Sequence, residues 1–285
     1  MIIDAVEDKY SLHQLLKCLC MAKSSYYYQR AVMKQSDKYA EIRIRIKIIF
    51  QENRNCYGYR RIHGELKKIG ITVSEKIVRR IMKEEHLTVP TKRMKKYSSY
   101  KGEITPEVDN IINRDFHAEQ PNTKWLTDIT EFAIPAGKVY LSPVIDCFDG
   151  MVVKWNIGTT PDSILVNKML EDAIGTLLPS EHPLVHTDRG CHYRWTGWIE
   201  RMQAAGVNTF YVKKKDVHRT MQLAKDFSGD LKNEMFYGRS WVGVSMDDFI
   251  NEINSYIEWY NTKRIKQSLG YMSPAEYRHS LGLTA

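Results

Sequence analysis

The absences narrow this chain first. No apolar run approaches the ~20 residues that a membrane-crossing helix needs, and the opening "MIIDAVEDKY" lacks a basic start followed by an apolar stretch. Neither a membrane span nor a secretory leader is therefore expected. The five cysteines (Cys18, Cys20, Cys56, Cys147, Cys191) are odd in number and never spaced CxxC. That pattern argues against a disulfide framework and a zinc site, and for reduced thiols in a cytoplasmic protein. Acidic residues are short in one region only. Residues 1–114 hold 24 Lys/Arg against 13 Asp/Glu, a net of +11, whereas residues 115–285 hold 18 against 21, a net of −3. A basic first third joined to a mildly acidic remainder suggests a polyanion-binding module attached to something else. A solvated basic surface would give the same sums.

What is present is an ordinary globular composition, 43% hydrophobic and 27% charged over 285 residues, enough for one sizeable core and small satellites. "SLHQLLKCLCMAKSSYYYQR" (11–30) predicts a short helix, a turn at Ala22–Ser24 and a second helix capped by Ser24 or Ser25. In "AEIRIRIKIIFQEN" the alternating isoleucines fit a strand. Length and the absence of turn signals favour a helix with Ile42, Ile46, Ile49 and Phe50 on one face. "CYGYRRIHGELKKIG" predicts a helix with Ile62, Leu66 and Ile69 inward that stops at Gly70. "ITVSEKIVRRIMKEEHL" predicts one that starts after Ser74, with Ile77, Val78, Ile81 and Met82 inward and Arg79, Arg80 and Lys83 outward. Two short helices across a Gly-containing turn, the second rich in cations, fit a helix-turn-helix or an ordinary helical hairpin. "VPTKRMKKYSSYKGEITPEV" (89–108) reads as a basic linker.

From Lys124 the texture changes. "KWLTDITEFAI", "KVYLSPVIDCF" and "MVVKWNIG" are β-rich runs joined by turns at Pro135–Gly137 and Asp149–Gly150. A helix (163–178), a buried strand "PLVHTD" and a helix "WTGWIERMQAAG" follow, so the fold class is α/β with a mixed sheet. Asp128 lies in the first strand run and Asp188 ends the fourth. A carboxylate in a central strand is costly unless paired or metal-bound, and two at one sheet edge could hold Mg²⁺ for phosphoryl transfer. Asp146 and Asp149 read as turn residues. "SMDDFINEINSYIEWYNTKRIKQSLGYMSPAEYR" predicts a long helix from near Ser245 with Phe249, Ile253, Ile257 and Tyr260 inward. The basic "NTKRIKQSLG" after it suits either DNA backbone contact or a clamp over the core.

The motifs "YGYRRIHGELKK", "WLTDITEF", "HTDRGCHYR", "LKNEMFYGRSW" and "YIEWYNTKRIKQSLGYMSPAEYR" occur in order from about Leu12 to Leu283. In these the chain resembles the insertion-sequence-three family of bacterial transposases, specifically the product of the second reading frame. The resemblance implies an RNase H-like integrase core, a mixed five-stranded sheet with flanking helices, preceded by an all-α helix-turn-helix region. It also implies two Mg²⁺ ions and an Asp-Asp-Glu triad whose first two members are Asp128 and Asp188, both metal ligands. The expected organisation is a helical segment (1–36), a helix-turn-helix-like domain (37–97), a basic linker (98–117), the catalytic core (118–242) and a C-terminal helix and tail (243–285). Tyr57, Arg60, Arg61, Lys76, Arg79, Arg80, Lys83, Lys92, Arg93, Lys95, Lys96, Lys263 and Arg264 are the expected DNA contacts. Expected partners are double-stranded DNA (element terminal repeats and target), further copies of the chain on that DNA, and the product of a preceding reading frame. No membrane partner is expected, and the expected location is the bacterial cytoplasm, at the nucleoid.

The triad's third acid is missing. The family pattern resembles "KKGCSPDNAACEGFFGRLKNE". Counting forward from Asp188 puts its Glu at Ala224, and counting back from Leu231–Glu234 puts it at Lys225. Asp226 is the nearest substitute carboxylate, about 100° round a helix from Lys225. The stretch "KDVHRTMQLAKDFSGDL" (215–231) can be encoded by codons that, read two nucleotides in, give GCSPDNAACEGFFGRL. The Glu codon then straddles Ala224 and Lys225. A segment translated out of frame between intact anchors, Lys213–Lys214 and Leu231–Tyr237, accounts for both the lost motif and the extra residue. The expectation is a transposase fold with impaired catalysis, against the alternative of a non-catalytic DNA-binding paralogue that dampens transposition.

Overall fold

A computed structural model of the chain describes residues 9–34, 37–89, 118–187, 193, 195–210 and 222–283. Asp188, Lys92, Arg93, Lys95, Lys96 and the expected linker therefore lie outside the described residues. By compactness the chain divides into 1–49 and 50–285.

The first unit holds α1 (Leu12–Cys18), α2 (Lys23–Lys34) and most of α3 (Ala40–Glu52). Ser11 and Gln14 form a capping box that starts α1. α2 begins at Lys23, so Ser24 and Ser25 lie inside its first turn rather than at its cap. The turn closes earlier than expected because Met21 N–H donates to the Leu16 carbonyl with Cys20 left-handed at φ 51°. Leu16 and Tyr26 are buried together, with Leu12 and Leu15 packed against them. α3 is a helix as expected: Ile46, Ile49 and Phe50 are buried, while Ile44 and Ile48 face out.

The second unit begins with α4 (Tyr59–Lys68) and α5 (Glu75–Glu84). Gly70, at φ 80°, ends α4 and Ser74 caps α5. Ile62, Leu66, Val78 and Ile81 are fully buried, whereas Ile69 is 54% exposed because α4 has already ended at Lys68. Then come β1 (Lys124–Thr127), β2 (Thr130–Ile134), β3 (Gly137–Asp146), β4 (Val152–Gly158), α6 (Ser163–Ile174), β5 (Leu184–Thr187), α7 (Thr196–Ala204) and β6 (Asn208–Phe210). α8 (Gln222–Leu231) runs into a π-helical turn (Lys232–Phe236), and α9 (Met246–Thr262), a 3₁₀ turn (Gln267–Leu269) and α10 (Pro274–Ser280) close the chain.

The sheet is mixed. β3 pairs antiparallel with β4 on one side and with both β1 and β2 on the other. β1 pairs parallel with β5, and β5 with β6. Because β1 and β2 lie along one edge of β3, the six segments make a five-stranded sheet. The third strand is interrupted at Asp128–Ile129, where the sequence predicts a single run. The cause is Pro143. Thr127 faces Val144 and Thr130 faces Leu141, so continuing the register sets Asp128 opposite Pro143. Cys147 N–H donates to the Lys124 carbonyl, so every second residue of β3 back from Cys147 turns its N–H toward β1, and Pro143 has none to give. Under the sheet, α6 and α7 bury Trp125, Val144, Val166, Met169, Leu170, Val185, Trp198 and Met202 in one core.

Candidate active site

The break in the ladder leaves Asp128 half-buried just past the end of β1. The neighbouring strand ends level with it: Thr187, the last residue of β5, is in register with Thr127. A helix covers this edge. α8 packs on β1, Ser228 Oγ lies 2.7 Å from Thr130 Oγ1, and one turn further on Lys232 places its ammonium 5.5 Å from the centre of the Phe132 ring. Burial pulls the Lys232 amine below its ordinary range against the opposing pull of the Asp128 and Glu131 charges. The helix thus brings a cation to this edge, close enough for its charge to feel both Asp128 and Glu131. Sequence reasoning passed over Lys232, although it sits in the "LKNEMFYG" anchor.

The positions expected for the third acid lie one turn before Ser228. Ala224 is buried at 1% exposure, Lys225 is half-buried and Asp226 exposed. The other carboxylate of the helix, Asp230, is engaged by Arg264 at 2.5 Å. Among the described residues no three His, Cys, Asp or Glu side chains gather as a metal site. Asp188, the second expected ligand, lies outside the described residues, so of the expected ligands only Asp128 is on view.

A second polar cluster lies between α8, α9 and α4. Arg264, 2% exposed, donates from Nε and Nη2 to Glu234 at 2.8 and 2.7 Å. Tyr256 hydroxyl (2.8 Å) and Arg61 Nη1 (3.1 Å) also donate to Glu234. Burial alone would raise the Glu234 carboxyl, but Arg264 and Arg61 more than offset it and hold it below its ordinary value. Tyr57 is wholly buried beside this cluster: its hydroxyl donates to the Lys263 carbonyl (3.1 Å) and accepts from Ile265 N–H (2.9 Å). Lys68 reaches Glu276 at 3.0 Å, and the Tyr271 ring lies flat against Gly64, where a Cβ would meet it at 2.6 Å. Lys266 donates to the Asp149 and Gly150 carbonyls (2.9 and 3.0 Å), and its burial lowers its pKa to about 7. Asp146 and Asp149 shape the turn after β3 as expected. They are also fully buried partners of Arg278, at 2.8 and 2.7 Å. Within "NTKRIKQSLG", Arg264 and the backbone of Lys263 and Ile265 hold Glu234 and Tyr57 as a clamp would, while the Lys263 side chain stays exposed.

These contacts correct part of the DNA-contact expectation. Tyr57 and Arg264 are interior and offer nothing to a surface ligand. Arg61 is tied to Glu234. Arg60, Lys76, Arg79, Arg80, Lys83 and Lys263 are exposed. Arg60 and Arg79 both stack on the Tyr59 ring, at 5.5 and 5.7 Å, and Arg80 lies 3.6 Å from Glu84. Among the described residues no helix is long and apolar enough to cross a membrane.

A mixed five-stranded sheet flanked by helices and entered through a helical pair defines an integrase core of the RNase H-like type. The comparisons agree. Residues 37–95 match the profile of an HTH-like domain, and residues 118–215 and 226–281 match two integrase core domain profiles. The chain is 51% identical over 282 residues to a protein of Shigella flexneri named as a probable transposase for insertion sequence element IS1353. That match covers 99% of this chain but 55% of the relative, so the chain spans about half of the relative's length. It is 35% identical over 278 residues to the Escherichia coli (strain K12) protein named "Putative transposase InsK for insertion sequence element IS150", covering 98% of this chain and 97% of that one. A chain of the simian T-cell lymphotropic virus intasome, solved in complex with PP2A regulatory subunit B56 gamma, shares the fold. Its TM-score is 0.50 at 16% identity, over 78% of this chain and 74% of that one. The chain belongs to the insertion-sequence transposases of the insertion-sequence-three type.

Proposed function

We propose that this chain recognises the ends of an insertion element through its helical region and carries a polynucleotidyl-transferase core whose chemical step is impaired. The observation that carries the reading is the face α8 turns toward β1 and Thr130. It offers Ser228 and Lys232, with Ala224 and Lys225 behind them, and no carboxylate. Asp128 is the remaining first acid. Asp188, next after Thr187 in the sequence, is the second by the motif "HTDRG". The junction between the two integrase core matches, residues 215 to 226, falls inside the stretch that reads out of frame. Exposed Arg79, Arg80 and Lys83 on α5, with Arg60 and Lys76 beside them, supply the phosphate-binding surface.

The test replaces residues 215–231 by the in-frame GCSPDNAACEGFFGRL. Both chains are then assayed for nicking of terminal-repeat DNA in Mg²⁺ buffer, and for binding by mobility shift. Binding should be equal, and nicking should rise at least about 100-fold on restoration of one catalytic group. Equal nicking by the two chains would refute the impairment.

A further inference from the structure

We propose that α1 and α2 form a second DNA-reading element, with α2 as the helix that enters the major groove of duplex DNA. Three observations lie behind it. The first is charge. Between Lys9 and Lys34 the chain has five cations (Lys9, Lys17, Lys23, Arg30, Lys34) and no Asp or Glu at all. So one-sided a stretch repels acidic partners and attracts a polyanion. The second is geometry. α1 and α2 are joined by the four residues Leu19–Ala22, and the turn is fixed by Cys20 in the left-handed region with Met21 N–H on the Leu16 carbonyl. The α4–α5 turn opens in the same way, with Gly70 left-handed and Ile71 N–H on the Leu66 carbonyl. The N-terminal pair thus repeats the start of the turn already read as a helix-turn-helix.

The third observation is exposure. Leu16 on α1 meets Tyr26 on α2, and Tyr26 is the one buried residue among those of α2 whose side chains are described. At 100° per residue, Ser24 and Tyr28 fall about 160° to either side of Tyr26 round the helix, and Tyr27 about 100° from it. Tyr28 is 66% exposed and Tyr27 50%. Ser24 and Tyr28 on the outward face can contact base edges and thymine methyls, and exposed Tyr27, Lys17 and Lys23 at its side can contact phosphates. A folded protein partner would instead favour the cleft of about 420 Å³ bordered by Leu12, Leu16, Met21 and Tyr27. The unbroken run of cations favours DNA.

The inference rests on the chain's binding DNA through α5, so the experiment separates the two surfaces. Three full-length variants are compared with the native chain: K17A/K23A, S24A/Y28A, and R79A/R80A/K83A on α5. All substituted residues are exposed, and circular dichroism checks their folding. Affinity for a terminal-repeat duplex and for a scrambled duplex is measured by fluorescence anisotropy across a salt series, with sedimentation for self-association. K17A/K23A should weaken binding to both duplexes and reduce the salt slope by about 2, one for each lysine that no longer neutralises a phosphate. S24A/Y28A should lower the preference for the terminal repeat by about 10-fold. Native-like binding by both N-terminal variants, while the α5 variant weakens, overturns the second element and leaves the first reading intact. Loss of self-association in either N-terminal variant with unchanged DNA affinity overturns it in favour of a protein-docking surface. If the native chain binds neither duplex, the underlying DNA-binding reading has failed instead.

Discussion

Two parts of the second unit treat charge in opposite ways. Around Arg264, the buried ions are matched: the guanidinium meets Glu234 and Asp230, Glu234 also holds Arg61 and Tyr256, and Arg278 meets Asp146 and Asp149. At the end of β1, Asp128 is half-buried near the cation Lys232, and Asp230 of α8 is taken up by Arg264. The first region is a closed scaffold; in the proposed reading the second is a site short of a member. The residues that hold the shape are thus not those proposed to act at the edge, so the fold and the proposed chemistry can vary separately.

The sharpest way to break that contrast is Arg264→Met. It leaves Glu234 buried with a weakened partner set, and removing one side of a buried pair costs about 3–5 kcal/mol. Urea denaturation should show that loss. A change below about 1 kcal/mol would mean the cluster is not the clamp. Next comes Gly64→Ala. An added Cβ would meet the Tyr271 ring at 2.6 Å, so stability should fall by about 1–3 kcal/mol. In a Tyr271→Gly background the sign should reverse to a gain of about 0.5–1 kcal/mol, since Ala is the better helix former. Additive effects in the two backgrounds would refute the contact.

Lys266 gives a smaller, pH-dependent effect. Its pKa is about 7 in the fold against 10.5 for a free lysine. Between those values the unfolded chain binds more protons, so the penalty is complete below about pH 7 and stability rises with pH above it. The readable window ends near about pH 8.5, where free thiols start to ionise. There Cys56 and Cys147, whose burial raises them to about 12, begin to pull the other way. Lys266→Met should flatten the rise between pH 7 and 8.5. A slope that persists in the variant assigns it to another group. The smallest effect belongs to the edge: Asp128→Asn should change stability by no more than about 0.5 kcal/mol. It should also lower the Lys232 pKa, observable by ¹⁵N NMR of the ammonium. A loss of several kcal/mol would make Asp128 a structural residue and erase the comparison.

Local pattern carried much of the architecture. The faces of α3, α5 and α9 and the serine caps of α5 and α9 follow from periodicity and capping chemistry, and Phe249, Ile253, Ile257 and Tyr260 are buried as expected. What failed was set by partners far along the chain. The split of β1 from β2 depends on a proline fifteen residues from Asp128 that becomes its neighbour only when β3 folds back. Arg264 looked like a surface cation because nothing near it in sequence announces Glu234, thirty residues earlier. β6 was missed because three residues are too few to show a period, and its partner β5 lies on the far side of α7 in the sequence.

Pro143 has one more consequence, for amide exchange. A sheet laced by an unbroken ladder opens as a single cooperative unit, whereas here β3 is stitched to its neighbour in two runs with a missing stitch between them. The two runs should exchange as separate zones, the β2 side against α9 and the β1 side against β5. The backbone around Asp128 can then open on its own while both zones stay protected.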